Sequence, residues 1–411
     1  MPSPETNPAP SPNTARLGVW LVGARGAIST CAFYGLEGLS QGLIEPIGLA
    51  TTKAPLDDLP FASFDSIVLG GHEISARGLS ASAAELVRHR VLRAELIAAT
   101  SAEAAAYDAR VRPGILDGPD VGLADLLPES ARRGALAPRE QLAVLGEDLD
   151  EFRRREEVDR LVVVYLASTE AWREPAPFWN DLAAFDEALD AGQAVPASSL
   201  YAYAAFQAGA AFVNFTPNVG ASLPAVAEFA YERGLPHCGN DGKTGETLLK
   251  TTLAPMFAAR ALRVHAWQGY NMLGNRDGEV LSDPARAVQK KKNKDEVLRE
   301  LLGTEVHSHV GIDYVPSLHD WKTAMDYVHF EGFLGAMMSL QFTWTGSDSA
   351  LAAPLVLDLV RLADLALARG EAGSMKQTAC FFKSPLSGGT HDFLAQVREL
   401  HRYAERVRRQ H

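Results

Sequence analysis

Lysine is rare in this chain and unevenly placed. Ten lysines stand against 29 arginines, and nine of the ten lie between Lys243 and Lys383. Arginine cannot give up its proton. A lysine can be tuned by burial and neighbours to act as acid, base or compact phosphate-binding charge. The same half of the chain is rich in Asp, Asn, Gly and Thr: GNDGKTGET at 239–247, NMLGNRDG at 271–278 and KKKNK at 290–294. Any single lysine reads ordinarily as a solvated surface charge; the set as a whole points to chemistry on an anionic substrate.

Thr244, Gly245 and Thr247 fall at a predicted helix start, where free N–H groups and the helix dipole favour phosphate, and Lys243 adds a point charge. The bland alternative is an N-cap by Thr244 beside an incidental lysine; the spacing is not that of a Walker motif. Lys290 and Lys294 are four apart and share a face on a helix. Such a cluster repels itself unless an anion sits within it; a solvated basic turn is the competing reading. Lys322 (in DWK) and Lys383 (in FFKSP) adjoin aromatics, where desolvation lowers a lysine pKa toward catalytic use, although snorkelling at a surface produces the same neighbours. No metal site is evident, though Asp241, Asp277 and Asp348 could converge on a divalent or monovalent cation. No Ser-His-Asp or Cys-His pattern is present.

These residues need a scaffold. Leu17–Val22 is a short apolar run ending in GARGAIST, followed by a small-residue segment that should be helical. Strand, glycine turn and helix form the first unit of a dinucleotide fold, here as G-x-x-G, one glycine thinner than the full fingerprint. The acidic residue expected about 20 positions on, to grip a ribose 2′-OH, is not clear; Thr51 and Thr52 stand near that place. This leaves open the choice between NAD and its phosphorylated relative. Ile44–Thr52 is expected as a second strand and Ser66–Leu69 as a third, ending at Gly70-Gly71-His72-Glu73. There the glycines let a loop approach the cofactor and the role of His72 stays undecided. Ala81–Arg110 and Pro138–Val158 read as helices. The valine-rich Arg160–Leu166 suits a strand buried on both faces, and Ser168-Thr169 after it either bond the cofactor or cap the next element. Ser198–Gly209 reads as helix, Ala211–Phe215 as strand, and Leu223 opens another helix. After Gly239 the texture changes: a helix from Thr244 to Ala259, then extended segments at 264–270, 308–315 and 328–344. Helices return at 355–368 and at the C-terminus.

The expected fold class is α/β: a Rossmann-like doubly wound parallel sheet with an inserted α+β catalytic and oligomerisation domain. Residues 1–14, with five prolines, read as a disordered leader. Residues 15–241 read as the NAD-binding domain, 242–347 as the insertion, and 348–411 as a segment returning to the first domain. Hydrophobic content of 47% and charged content of 22% describe an ordinary globular protein, and the net charge of −12 argues against nucleic acid or an anionic membrane as partner. Three separated cysteines, Cys31, Cys238 and Cys380, fit a reducing cytoplasm.

In combination, the strand-turn at Val19–Gly23, the Gly239–Thr247 run, the Tyr270–Gly278 run and Phe381–Pro385 carry a resemblance. The chain resembles the inositol-3-phosphate synthase (1-L-myo-inositol-1-phosphate synthase) family, particularly its shorter archaeal and bacterial members, over everything but the leader. The resemblance implies that Lys290, Lys294, Lys322 and Lys383 line the active site, with Asn275, Asp277, Asp241 and Asp348 as polar partners. It places substrate phosphate on Lys243, Thr244, Gly245 and Thr247. It places NAD on Gly23, Ala24, Gly26, Ala27 and Ile28, on Thr51, on Gly71 and His72, on Ser168 and Thr169, and on Asp241 and Asp348.

The implied chemistry explains the lysines. Glucose 6-phosphate is oxidised at C5 by NAD, loses a C6 proton, closes by attack of the enolate on the C1 aldehyde, and is reduced again by the same cofactor. Each step puts charge on an oxygen that an ammonium can stabilise. Lys322 is assigned to the C5 oxygen, Lys383 and Lys290 to the aldehyde or new alkoxide, and Lys294 to phosphate. The resemblance also implies a cytoplasmic homotetramer joined through the inserted sheet. Two other readings compete: a net NAD-dependent sugar-phosphate dehydrogenase, and an inactive NAD-sensing scaffold.

Overall fold

The structure, a computed structural model, describes residues 15–116, 125–274, 298, 300–303, 305–386 and 388–410. The leader 1–14 and the site candidates Asn275, Asp277, Lys290 and Lys294 lie outside the described residues.

Six strands come first: β1 (Leu17–Val22), β2 (Ile67–Glu73), β3 (Val111–Pro113), β4 (Arg160–Tyr165), β5 (Ala211–Asn214) and β6 (Pro236–Cys238). Then follow β7 (Arg263–Leu273), β8 (His307–Tyr314), β9 (Trp321–Glu331), β10 (Met337–Ser347) and the two-residue β11 (Gly373–Ser374). One sheet has the order β11-β6-β5-β4-β1-β2-β3, and all its neighbours are parallel. The other has the order β10-β9-β7-β8, with β9 antiparallel to β7 and β10.

The parallel sheet is buried on both faces, and its sequence alternation shows how. Leu17, Val19 and Leu21 of β1 and Val162 and Val164 of β4 join one core, under the Ala27–Ser40 and Asp348–Ala368 helices. Trp20, Val22, Val163 and Tyr165 join the other, under Pro138–Arg155 and Ala197–Gln207. Period-two alternation with both sets apolar is what a sheet covered by helices on each face demands. In the second sheet one face packs on the Glu246–Ala259 helix through Trp267, Val328, Ala254 and Phe257. The opposite face leaves Tyr270, Met325 and Tyr327 exposed.

Two expected elements differ. Ile44–Thr52 is not a strand: it runs as loop into a 3-10 turn at Ala50–Thr52, with Ile47 exposed. Its backbone N–H groups at Ala50 and Thr51 donate to Asp358 of the Asp348–Ala368 helix, at 2.7 and 2.9 Å, which removes them from any ladder. The expected long helix over Ala81–Arg110 is three helices, Leu79–Arg88, Ala94–Ala99 and Ser101–Arg110. The first break falls at Arg90, whose φ of 59° lies in the left-handed region that no helix continues through.

Candidate functional site

Successive strands of the parallel sheet end on the same side, and the order in which strands are added reverses between β1 and β4: β2 and β3 lie beyond one, β5, β6 and β11 beyond the other. That switch point is where open α/β sheets bind ligands. Gly23, at φ 88°, turns the chain there, and a Cβ on it would lie 3.2 Å from the Leu166 carbonyl group at the end of β4. Its N–H and that of Ala24 are held by the His72 carbonyl, at 2.9 and 3.0 Å. Gly26 is the N-cap of the Ala27–Ser40 helix, with no side-chain cap and no acidic residue in the first turn, so Ala27 and Ile28 begin a helix whose positive end is open to an anion. Gly71 lets β1 and β2 close up: a Cβ there would lie 2.1 Å from the Leu21 carbonyl oxygen.

The acidic residue missing from the sequence reading appears in space. Glu73 ends β2, the strand beside β1, and accepts the Arg25 N–H at 2.8 Å. It stands 48 residues after Arg25, not the usual 20 or so, because residues 41–66 make an excursion of loops and 3-10 turns before β2 begins. Two more amides, Ile74 and Ser75, donate to its other oxygen at 2.8 and 3.1 Å, so the carboxyl group is held and aimed. The usable signal was its place as the acidic residue closing the apolar run IVLGGHE.

Two cofactor candidates are placed elsewhere. Thr51 is buried against the Asp348–Ala368 helix, its hydroxyl donating to Asp358 at 2.6 Å. The His72 imidazole points into the helix layer: its Nδ1 accepts from Trp20 Nε1 at 2.9 Å, so Nε2 carries the proton and donates to Asp148 at 2.9 Å. Burial pushes this imidazole below its ordinary range, against the pull of Asp148. Only the His72 backbone serves the turn. Ser168 and Thr169 follow β4 with no helix directly after them, which leaves the capping role without an element to cap; the Ser168 carbonyl accepts from Asn218 Nδ2 at 3.0 Å.

Beyond β6 the loop 239–243 zips against 381–386. Asn240 and Ser384 exchange backbone bonds at 2.8 and 3.2 Å, Lys383 N–H donates to the Asp241 carbonyl at 2.7 Å, and Lys243 N–H to the Phe381 carbonyl at 2.8 Å. The pairing sets Lys383 Nζ 2.8 Å from Asp241 Oδ1 across 142 residues of chain. One turn on, the Thr244 hydroxyl donates to Asp348 Oδ1 at 3.2 Å, and Lys322 Nζ stands 3.8 Å from Asp348 Oδ2. Two partly buried Lys–Asp pairs are thus joined through four residues of one loop. Gly245 is the N-cap of the Glu246–Ala259 helix, and Thr247 sits buried in its first turn. Behind them Glu246 accepts from Asn271 at 2.6 Å and pairs with Lys250 at 2.5 Å, and Asp326 accepts from Trp267 at 2.7 Å. This buried network ties the helix start to β7 and β9.

Lys243 is the correction. Its ammonium turns away from the helix start, donates to Gln396 Oε1 at 2.7 Å and lies over the Phe393 ring at 5.7 Å. Burial lowers its pKa from 10.5 to about 8. Below pH 8 both folded and unfolded chains hold this proton; between about 8 and 10.5 the unfolded chain holds it and the folded one does not, so stability rises with pH across that window. Between pH 7.5 and 10.5 the native chain should gain about 3 kcal/mol relative to Lys243→Met. Urea melts of both proteins check this; parallel pH curves count against it.

Of the three aspartates considered for a cation, Asp277 lies outside the described residues, and Asp241 and Asp348 each face a lysine. Among the described residues no cluster of three His, Cys, Asp or Glu side chains could hold a metal.

Fold and site together define an NAD-binding α/β enzyme in which Lys322 of the second sheet and Lys383 of a loop after β11 are each paired with an aspartate around the loop that follows β6. The comparisons make this specific. The chain belongs to the myo-inositol-1-phosphate synthase family, whose model matches residues 17–404. It is 33% identical over 407 residues to inositol-3-phosphate synthase 1 of Bacteroides thetaiotaomicron, covering 93% of this chain and 91% of that one. It is 31% identical to inositol-3-phosphate synthase isozyme 1 of Arabidopsis thaliana over 82% of this chain and 64% of the plant one, so it spans less than two-thirds of that longer relative. The solved inositol-3-phosphate synthase of Caenorhabditis elegans superposes with a TM-score of 0.84 at 22% identity, covering 96% of this chain and 86% of the other, and shares its fold.

Proposed function

We infer that this chain isomerises D-glucose 6-phosphate to 1D-myo-inositol 3-phosphate with internally recycled NAD. The observation that carries it is the meeting of the Lys383–Asp241 and Lys322–Asp348 pairs at one loop, beside an uncapped helix start and beyond the dinucleotide crevice. When bound, NAD accepts the C5 hydride and later returns it. The first turn at Thr244, Gly245 and Thr247 holds the phosphate. Lys322, as the neutral amine, takes the C5 hydroxyl proton, and the ammonium that results lies beside Asp348. That ammonium then steadies the enolate oxygen and gives the proton back at re-reduction. Lys383, held by Asp241, polarises the C1 aldehyde. By resemblance to the family, Lys290 shares that role, Lys294 binds phosphate, and Asn275 and Asp277 act as polar partners. The substrate phosphate takes the C6 proton. Glu73 grips the adenosine ribose, beside the Gly23 turn and the Ser168-Thr169 loop.

The same reading makes 242–347 the catalytic and oligomerisation unit, with 15–241 and 348–411 forming the cofactor domain. Exposed Tyr270, Met325, Tyr327, Met337 and Met338 on the second sheet support a homotetramer joined there; light scattering that finds a monomer rejects this. No helix among the described residues is long and apolar enough to cross a membrane, and three free, buried cysteines accord with a cytoplasmic enzyme.

Incubation of the pure protein with NAD and glucose 6-phosphate tests the whole. Phosphorus NMR should show inositol phosphate, with no net absorbance change at the nicotinamide band. Net NADH accumulation would establish the dehydrogenase reading instead, and cofactor binding without substrate consumption the sensing one.

A further inference from the structure

We infer that Glu73, Arg25 and Asp108 together set this chain's choice of NAD over its 2′-phosphorylated form, with Asp108 withholding the guanidinium that would otherwise receive a 2′-phosphate. The inference rests on the ribose role given to Glu73.

Arg25 lies in the turn after β1, between Gly23 and Gly26, and its backbone N–H bonds the Glu73 carboxylate at 2.8 Å. Its side chain therefore starts beside the ribose pocket. A guanidinium rooted there is placed to bond a phosphate in two-pronged fashion. Instead its Nε donates to Asp108 Oδ1 at 2.7 Å, with the Arg25 side chain 15% and the Asp108 side chain 37% exposed. Asp108 is held in place by its own helix, Ser101–Arg110: the neighbouring Tyr107 is fully buried and donates its hydroxyl to the Ala24 carbonyl at 2.6 Å. The helix is thus tied to the same turn that carries Arg25.

The consequence is chemical. A ribose 2′-OH can donate to Glu73. A 2′-phosphate brings about two negative charges against that carboxylate, and the cation beside it is already neutralised by Asp108. The turn contains the arginine a phosphorylated cofactor would use, and the fold disarms it.

Calorimetric titration of the full chain with NAD and NADP, at fixed salt, tests this in four variants: Asp108→Asn, Glu73→Ser, the double, and the double carrying Arg25→Gln. Asp108→Asn should raise NADP affinity about tenfold, the worth of one charge-assisted contact. The double variant should raise it about 100-fold or more. Adding Arg25→Gln should abolish the gain. NADP affinity that is unchanged in Asp108→Asn and in the double, or a gain that survives Arg25→Gln, overturns the inference. Glu73→Ser with unaltered NAD affinity overturns the ribose reading itself, and the Asp108→Asn titration then still decides whether Arg25 is withheld. Asp108→Asn removes only a half-exposed charge and keeps the side-chain shape, so its titration does not hinge on the buried Glu73 position surviving substitution.

Discussion

Lys322→Ala and Lys383→Ala should each lower kcat by about 1,000-fold or more while NAD affinity stays within about threefold of the native value. The asymmetry follows from where these groups sit. Their partners Asp348 and Asp241 keep 24% and 16% of their side-chain surface exposed. Asp348 retains the Thr244 hydroxyl when Lys322 is gone. Loss of such a partly buried pair costs the fold about 1 to 3 kcal/mol, between the values for exposed and fully buried pairs. In the reaction the same ammonium faces an oxygen that gains a full charge in a water-poor site, where one lost donor costs about 3 to 4 kcal/mol. Activity and stability should therefore separate. Single-turnover rates with calorimetric NAD titrations check this; a variant that loses NAD binding, or keeps kcat within tenfold, contradicts the roles assigned.

Gly71→Ala should do the reverse and strike the fold first. Its Cβ would stand 2.1 Å from the Leu21 carbonyl oxygen and 2.8 Å from Ala24 Cβ. Leu21 and Gly71 are register partners in the sheet interior, both strands buried under helices. Neither backbone can yield without opening β1–β2 pairing, so we expect a loss of about 4 kcal/mol or more, beyond ordinary overpacking, and a fall in melting temperature of about 5 °C. NAD binding should weaken with it, since the Gly23 turn hangs on the His72 carbonyl next along that strand. Gly146→Ala is the control: this glycine lies within the Pro138–Arg155 helix with nothing near its Cβ position, and alanine there should stabilise by up to about 1 kcal/mol. Thermal melts of the two variants decide the matter; equal melting temperatures would refute the close-approach argument.

Most of the scaffold was readable because its signals are local. A strand, a glycine turn and an apolar small-residue helix announce the first βα unit between Leu17 and Ser40, and the valine run at Arg160–Tyr165 announces a strand buried on both faces. The short strands β3, β6 and β11, two or three residues each, escape because no periodicity can be read from so few positions. The Ile44–Thr52 segment misled for the opposite reason. It has the β-branched residues of a strand, yet its amides are claimed by Asp358, more than 300 residues away.

The sequence by itself determined which chemistry is present: lysines among carboxamides and carboxylates, a phosphate-ready helix start, and a dinucleotide turn, each written in adjacent residues. Only the tertiary structure decided which of these groups meet. It set Lys383 on Asp241 and Lys322 on Asp348, turned Lys243 inward to Gln396, sent His72 into the helix layer and brought Glu73 to the backbone of the Gly23–Gly26 turn. The reason is physical. Backbone geometry sets which way a side chain leaves its own strand or turn, but whether it ends in solvent, in a core or on a partner depends on segments brought there by packing from tens to more than a hundred residues away.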